Sequence, residues 1–181
     1  MQTINEDIKS GQYKKVYLLY GEESFLKQSY KKKLKEAVAG DDTMNYNYFE
    51  GKGLDVNELI SLSDTMPFFS DKRLIIIEDS GFFKTSSEAL ADYLPMIPDT
   101  TCIVFVEDGV DKRNRLFKKV KELGHAAEMK RQDSAQLARW AGTILAQNGR
   151  KITGSTMNLF LERTGDDMEN IRMEVVASEL R

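Results

Sequence analysis

Two stretches of this 181-residue chain carry residue types that could handle a nucleotide. The first, Gly21-Glu-Glu-Ser-Phe-Leu-Lys27, follows a short apolar run, where a phosphate loop would stand. Such a loop uses the pattern G-x-x-x-x-G-K-[ST], because glycines let backbone amides close on phosphate and the lysine answers its charge. That pattern is not met here, and Glu22 and Glu23 put carboxylates where the amides would cradle an anion, so charge repulsion opposes binding. The second stretch, Ile75-Ile-Ile-Glu-Asp79, imitates the strand that ends in a magnesium-binding acid. Without a phosphate loop, Glu78 and Asp79 have no magnesium nucleotide to hold and read first as solvated strand caps. The expectation is therefore no bound cofactor.

Other reactive types are sparse. The single cysteine, Cys102, lies in the apolar run Cys102-Ile-Val-Phe-Val106 and reads as a buried small hydrophobe, with no local cation to activate it. The lone His125 has no Cys or His companions at metal-ligand spacing, and no Ser/His/Asp triad can be assembled. No catalytic and no metal site is expected. Two basic clusters remain: Lys27, Lys31, Lys32, Lys33 and Lys35, and then Lys112, Arg113, Arg115, Lys118, Lys119 and Lys121. Each reads first as a solvated helix face, with phosphate contact as the competing reading.

A different kind of chemistry is offered by Met66-Pro-Phe-Phe-Ser-Asp-Lys-Arg-Leu-Ile-Ile-Ile-Glu-Asp79, where a proline and two aromatics run directly into an apolar strand. The polar Asp71-Lys72-Arg73 marks the surface just before that strand, so Phe68 and Phe69 sit at the edge of the core. Base rates for phenylalanine favour burial of both rings. If one is left in solvent, it offers apolar area to a partner and is an anchor candidate. Pro67, with its restricted φ, is expected to set the approach to the pair.

The elements that must position these residues follow from periodicity. Val16 to Tyr20 reads as a buried strand closed by Gly21, followed by a helix carrying Phe25, Leu26, Tyr30, Leu34 and Val38. Met44 to Phe49 alternates as a second strand. Asp55 with Glu58 resembles a capping box opening a helix through Leu59, Ile60 and Leu62, and Leu74 to Ile77 is a third strand. Thr85 with Glu88 repeats the capping pattern before a helix ended by Pro95 and Pro98. Ile103 to Val106 is a fourth strand, a basic helix carries Leu116, Phe117 and Val120 to Gly124, and Ala126 to Met129 is a short strand.

From Asp133 only helical periodicity remains: Leu137, Trp140, Ile144 and Leu145, then Met157, Phe160 and Leu161, then Ile171, Val175 and Leu180. The last helix meets the C-terminus with no stop signal, as in a truncated chain. Alternating strands and helices imply an α/β fold with a parallel sheet covered on both faces. The layout is similar to that of AAA+ ATPases: an AAA+-like domain over residues 1–131, then a small helical lid domain over 132–181.

Composition agrees with a soluble globular chain: 41% hydrophobic, 30% charged, net charge −3 and pI near 5.4. That balance argues against a generally basic nucleic-acid binder, and leaves only a local basic face open. No basic-then-apolar leader and no run long enough to span a membrane is visible, and the expected location is the cytoplasm.

Three segments together resemble the delta subunit family of the bacterial DNA polymerase III clamp loader. They are Tyr17-Leu-Leu-Tyr-Gly-Glu-Glu-Ser-Phe-Leu26, Met66-Pro-Phe-Phe-Ser-Asp-Lys-Arg-Leu74, and Asn158 to Leu180 with Gly165-Asp166 and Glu174. The middle motif is the most specific. The resemblance implies the first two of that family's three domains, with the C-terminal collar domain absent. It implies an AAA+-like subunit that does not hydrolyse ATP, within the larger DNA polymerase III nucleotidyltransferase assembly. It implies an apolar wedge at Phe68 and Phe69, flanked by Met66 and Pro67, that enters a hydrophobic pocket on the ring-shaped sliding clamp (beta) and helps open it. The implied partners are that clamp, the delta prime and gamma/tau subunits, and primed DNA through the assembled complex. The resemblance thus reverses the preference for burying the two rings. The competing readings are a divergent P-loop NTPase and a DNA-binding module.

Overall fold

The computed structural model describes residues 1–85 and 87–177. Helix α1 (Gln2–Ser10) comes first, followed by β1 (Val16–Tyr20), α2 (Ser24–Val38), β2 (Tyr46–Glu50), α3 (Val56–Asp64) and β3 (Arg73–Glu78). The chain continues through α4 (Glu88–Tyr93), a 3₁₀ turn at Leu94–Met96, β4 (Thr101–Glu107), α5 (Arg115–Leu123) and β5 (His125–Glu128). Three helices follow: α6 (Ser134–Gln147), α7 (Gly154–Thr164) and α8 (Met168–Ala177).

All five strands pair in parallel, in the order β2-β3-β4-β1-β5. Every residue of β1, β3 and β4 is buried, as uninterrupted apolar runs covered on both faces require. The two edges, β2 and β5, are partly exposed. On one face Val16, Leu18, Ile75, Ile77, Ile103 and Phe105 pack with Leu59 of α3, Leu90 of α4, and Leu116, Phe117 and Val120 of α5. Helix α2, burying Leu26, Tyr30 and Leu34, lies against β1, β3 and β4, with α1 beside it. This is the α/β architecture of a parallel sheet with flanking helices that the periodicity implies.

Three local expectations need correction. Helix α1 is not foreseen, because its short amphipathic pattern buries only Ile4. The Thr85–Glu88 box does not form: α4 begins at Glu88 after Ser87, and the Thr85 hydroxyl instead donates to the carbonyl of Gly81 at 3.1 Å. Asp55 does cap α3, but through the Asn57 amide at 2.8 Å, one residue short of the box position. The reciprocal box is found at α6, where Asp133 accepts from Gln136 N–H and the Gln136 side chain accepts from Asp133 N–H.

Contacts divide the chain into two compact units, Met1–Met129 and Lys130–Arg181. The second contains α6, α7 and α8, which bury Leu137, Ala141, Met157, Ile171 and Val175. Leu180 lies outside the described residues. Among the described residues no helix is long and apolar enough to cross a membrane.

Candidate partner-binding site

The turn between α3 and β3 carries the proline and the two aromatics outward. Met66, Phe68 and Phe69 are 70%, 55% and 94% exposed, while Pro67 is half-buried. The two rings rest on each other edge to face, with centroids 4.4 Å apart. Phe69 has φ of 50°, the left-handed region that non-glycine residues seldom adopt. A large aromatic held there in solvent stores strain and exposes apolar area, and neither serves the core.

The backbone beneath the rings is firmly held. Asn45, just ahead of β2 and buried, accepts from Phe68 N–H at 2.6 Å and donates through Nδ2 to the Phe68 carbonyl at 2.8 Å. The same amide group donates to Asp42 Oδ2 at 2.7 Å, and the Asn45 and Met44 backbone amides donate to Asp42 Oδ1. These bonds, the Asn45 side chain first, hold the Asp42 carboxyl below the usual aspartate range. On the other leg of the turn, buried Arg73 donates to the carbonyls of Thr65 (3.2 Å) and Met66 (3.4 Å) and to Asn47 Oδ1 (3.0 Å). Sequence reading misses Asn45 and Arg73: one lies 23 positions away from its partner, and the other belongs to a charged cluster that looks like plain surface.

At the opposite ends of the strands lies the region read as a possible nucleotide site. Gly21 N–H donates to the Glu107 carbonyl and Glu23 N–H to the Met129 carbonyl, so these two amides of the turn after β1 are used within the protein. A side chain at Gly21 has no room: its Cβ would fall 2.4 Å from Met129 O, at φ of 126°. The Glu23 carboxylate caps α2 through Phe25 N–H, at the helix end where phosphate would sit.

Counting from Gly21, Lys27 falls at the spacing of a phosphate-loop lysine, with Leu26 in place of the second glycine and Gln28 in place of Ser or Thr. Lys27 is not on a solvated face: it is buried and paired with Asp108, whose carboxyl that bond holds below its usual range. Gln28, Lys31 and Tyr48 all donate to Glu78, at 2.5, 2.6 and 2.9 Å. Burial would raise the Glu78 carboxyl, but these bonds outweigh it and keep it below the ordinary glutamate range. Glu78 is thus no solvated cap; both of its carboxylate oxygens accept from protein donors. Beside it, buried Glu107 accepts from Ser80 and Gly81, and burial pushes its carboxyl up.

Cys102 is buried, and its thiol is pushed up to about 12 by that burial. His125 faces Asp7, 3.1 Å from Oδ2, an oxygen that also accepts from the Tyr17 hydroxyl. Among the described residues no group of three or more His, Cys, Asp or Glu could hold a metal. Around α5 most cations meet acids within the chain: Lys112 with Glu128, Arg113 with Asp111, Arg115 with Glu88 and Asp92, and Lys119 with Glu122.

A family model described as DNA polymerase III, delta subunit, matches residues 17–130. A curated relative, DNA polymerase III subunit delta of Bacillus subtilis (strain 168), is 23% identical over 163 residues, which is 83% of this chain and 47% of that protein. The solved Bacillus subtilis DNA clamp loader delta protein is similar in fold with a TM-score of 0.80 at 20% identity, over 97% of this chain and 56% of that one. Domain III of the Thermotoga maritima replication initiation protein DnaA has a TM-score of 0.52 at 13% identity, over 97% of this chain and 79% of its own. This chain therefore spans about half the length of the delta proteins it matches.

Proposed function

The chain belongs to the DNA polymerase III delta subunit family, and on that premise we propose that its α3–β3 turn binds the sliding clamp and helps open the ring without turning over ATP. The observation that carries this reading is Phe69, 94% exposed, in a left-handed conformation and edge to face with Phe68. Met66 and Pro67 flank the pair and complete an apolar wedge. Burying a phenylalanine contributes about 1.5–3 kcal/mol, so two rings supply a large share of the roughly 8 kcal/mol of a micromolar complex. Ring opening then needs no reaction in this subunit: a surface that fits the opened clamp better than the closed one shifts the population by the difference in affinity.

Residues 132–181 are read as the lid domain, and the collar that joins delta prime and gamma/tau as lying in the part of the relatives this chain does not span. Contact with primed DNA is assigned to the assembled loader rather than to this chain, since most cations around α5 already pair with acids. A divergent NTPase would need Lys27 and Glu78 for phosphate and magnesium, and both are engaged by protein partners.

The test is binding of this chain to its cognate clamp without ATP, by surface plasmon resonance, for wild type and Phe68→Ala/Phe69→Ala. The expected result is micromolar or tighter affinity that falls at least about 100-fold in the double variant, with the melting temperature unchanged. Equal affinity of the two proteins, or binding that requires ATP, overturns the reading.

A further inference from the structure

The wedge rests on a side chain that no resemblance assigns. Asn45 is buried, and its amide meets both polar groups of one peptide unit pair at Phe68: Oδ1 accepts from the N–H, and Nδ2 donates to the C=O. Asparagine supplies one acceptor and two donors, and here the second donor is spent on Asp42 Oδ2. The Asp42 bond fixes which way the amide faces, because a flipped amide would aim its oxygen at a carboxylate. Asn45 also accepts through its own carbonyl from Leu74 N–H at 2.8 Å, so the residue is tied into the start of the β2–β3 ladder. The sheet is thereby coupled to the tip of the turn by one side chain, while Arg73 grips the leg at Thr65 and Met66.

We propose that Asn45 is the positioning residue of the wedge: it holds Phe68 and the strained Phe69 in their presented geometry before the clamp arrives, so that binding does not have to order them. This rests on the reading of the turn as a clamp-binding wedge. A turn without the latch would sample other backbone states, and the loss of freedom on docking would oppose binding. The hydrogen bonds of the Asn45 side chain go to the Phe68 backbone and to Asp42, and the residue is buried, so it acts through the rings and not on the clamp.

The experiment compares wild type, Asn45→Ala, Asn45→Asp and Asp42→Ala, each alone and in the Phe68→Ala/Phe69→Ala background. Clamp binding is followed by surface plasmon resonance, and exchange of the Phe68 amide by NMR. Asn45→Asp can still accept from Phe68 N–H but cannot donate to its carbonyl and is repelled by Asp42. Asp42→Ala removes the anchor while leaving the buried position intact, which keeps the test valid if Asn45→Ala folds poorly. The expected result is about tenfold weaker clamp affinity in Asn45→Asp and a smaller loss in Asp42→Ala, faster Phe68 exchange in both, and no added loss in the double-alanine background. Unchanged affinity and exchange in Asn45→Asp and Asp42→Ala, with affinity still lost in Phe68→Ala/Phe69→Ala, overturns the positioning role alone. Equal loss with and without the two rings overturns it in favour of a general structural effect. If Phe68→Ala/Phe69→Ala binds like wild type, the wedge reading falls and the positioning role falls with it.

Discussion

At the scale of single residues, the informative positions are those whose placement departs from their type. Phenylalanine is usually inside, yet Phe69 is 94% exposed and adopts φ of 50°. Phe69→Ala keeps the backbone strain, whereas Phe69→Gly removes it. Glycine is expected to raise stability over alanine by up to about 1 kcal/mol in urea unfolding, while both variants lose clamp affinity. Glu78 departs in the other direction, as an acid taken from solvent and satisfied by Lys31, Gln28 and Tyr48. Its folded value is depressed, so its stabilisation is complete above the ordinary glutamate range and is lost as pH falls through that folded value. In Lys31→Met the buried carboxylate loses its counter-charge. Thermal melts should show the variant well below wild type near pH 7, with the gap closing as the pH falls through and below the ordinary glutamate range. Neither departure is legible from residue type. Exposure of the two rings was implied only by family resemblance, and the partners of Glu78 come from positions up to 50 residues away.

At the scale of elements, most of the architecture can be read from the chain because period and punctuation agree. Buried strands appear as unbroken apolar runs, and α5 ends at Gly124 as expected. What was lost had weak local signal. Helix α1 has only Ile4 in the core, and the Thr85 hydroxyl had a nearer carbonyl, that of Gly81, to bond. The Asp133 cap is a local rule fully realised, with both bonds of the box formed at 2.8 Å. Asp133→Ala is expected to cost about 1 kcal/mol, read as a lower midpoint of the Lys130–Arg181 unit in circular dichroism melts. A change confined to the Met1–Met129 unit would contradict that assignment.

At the scale of the whole molecule, the wedge and its supports all belong to the Met1–Met129 unit. A chain ending after Met129 is therefore expected to fold and to bind the clamp with the affinity of the full 181 residues, measured side by side by surface plasmon resonance. Loss of binding in a well-folded fragment would require residues of the second unit in the footprint. Because every strand is parallel, the turn bearing Phe68 and Phe69 enters β3 at one end, and Glu78 leaves it about 17 Å away at the other. Strand β3 also lies between two neighbours, paired with β2 through Tyr46–Glu50 and with β4 through Thr101–Val106. A load applied at the tip along that strand does not peel the ladder one bond at a time. It shears both ladders together, so many hydrogen bonds resist at once, and a pulling tether at residue 69 should meet greater resistance than a tether on the edge strand β2.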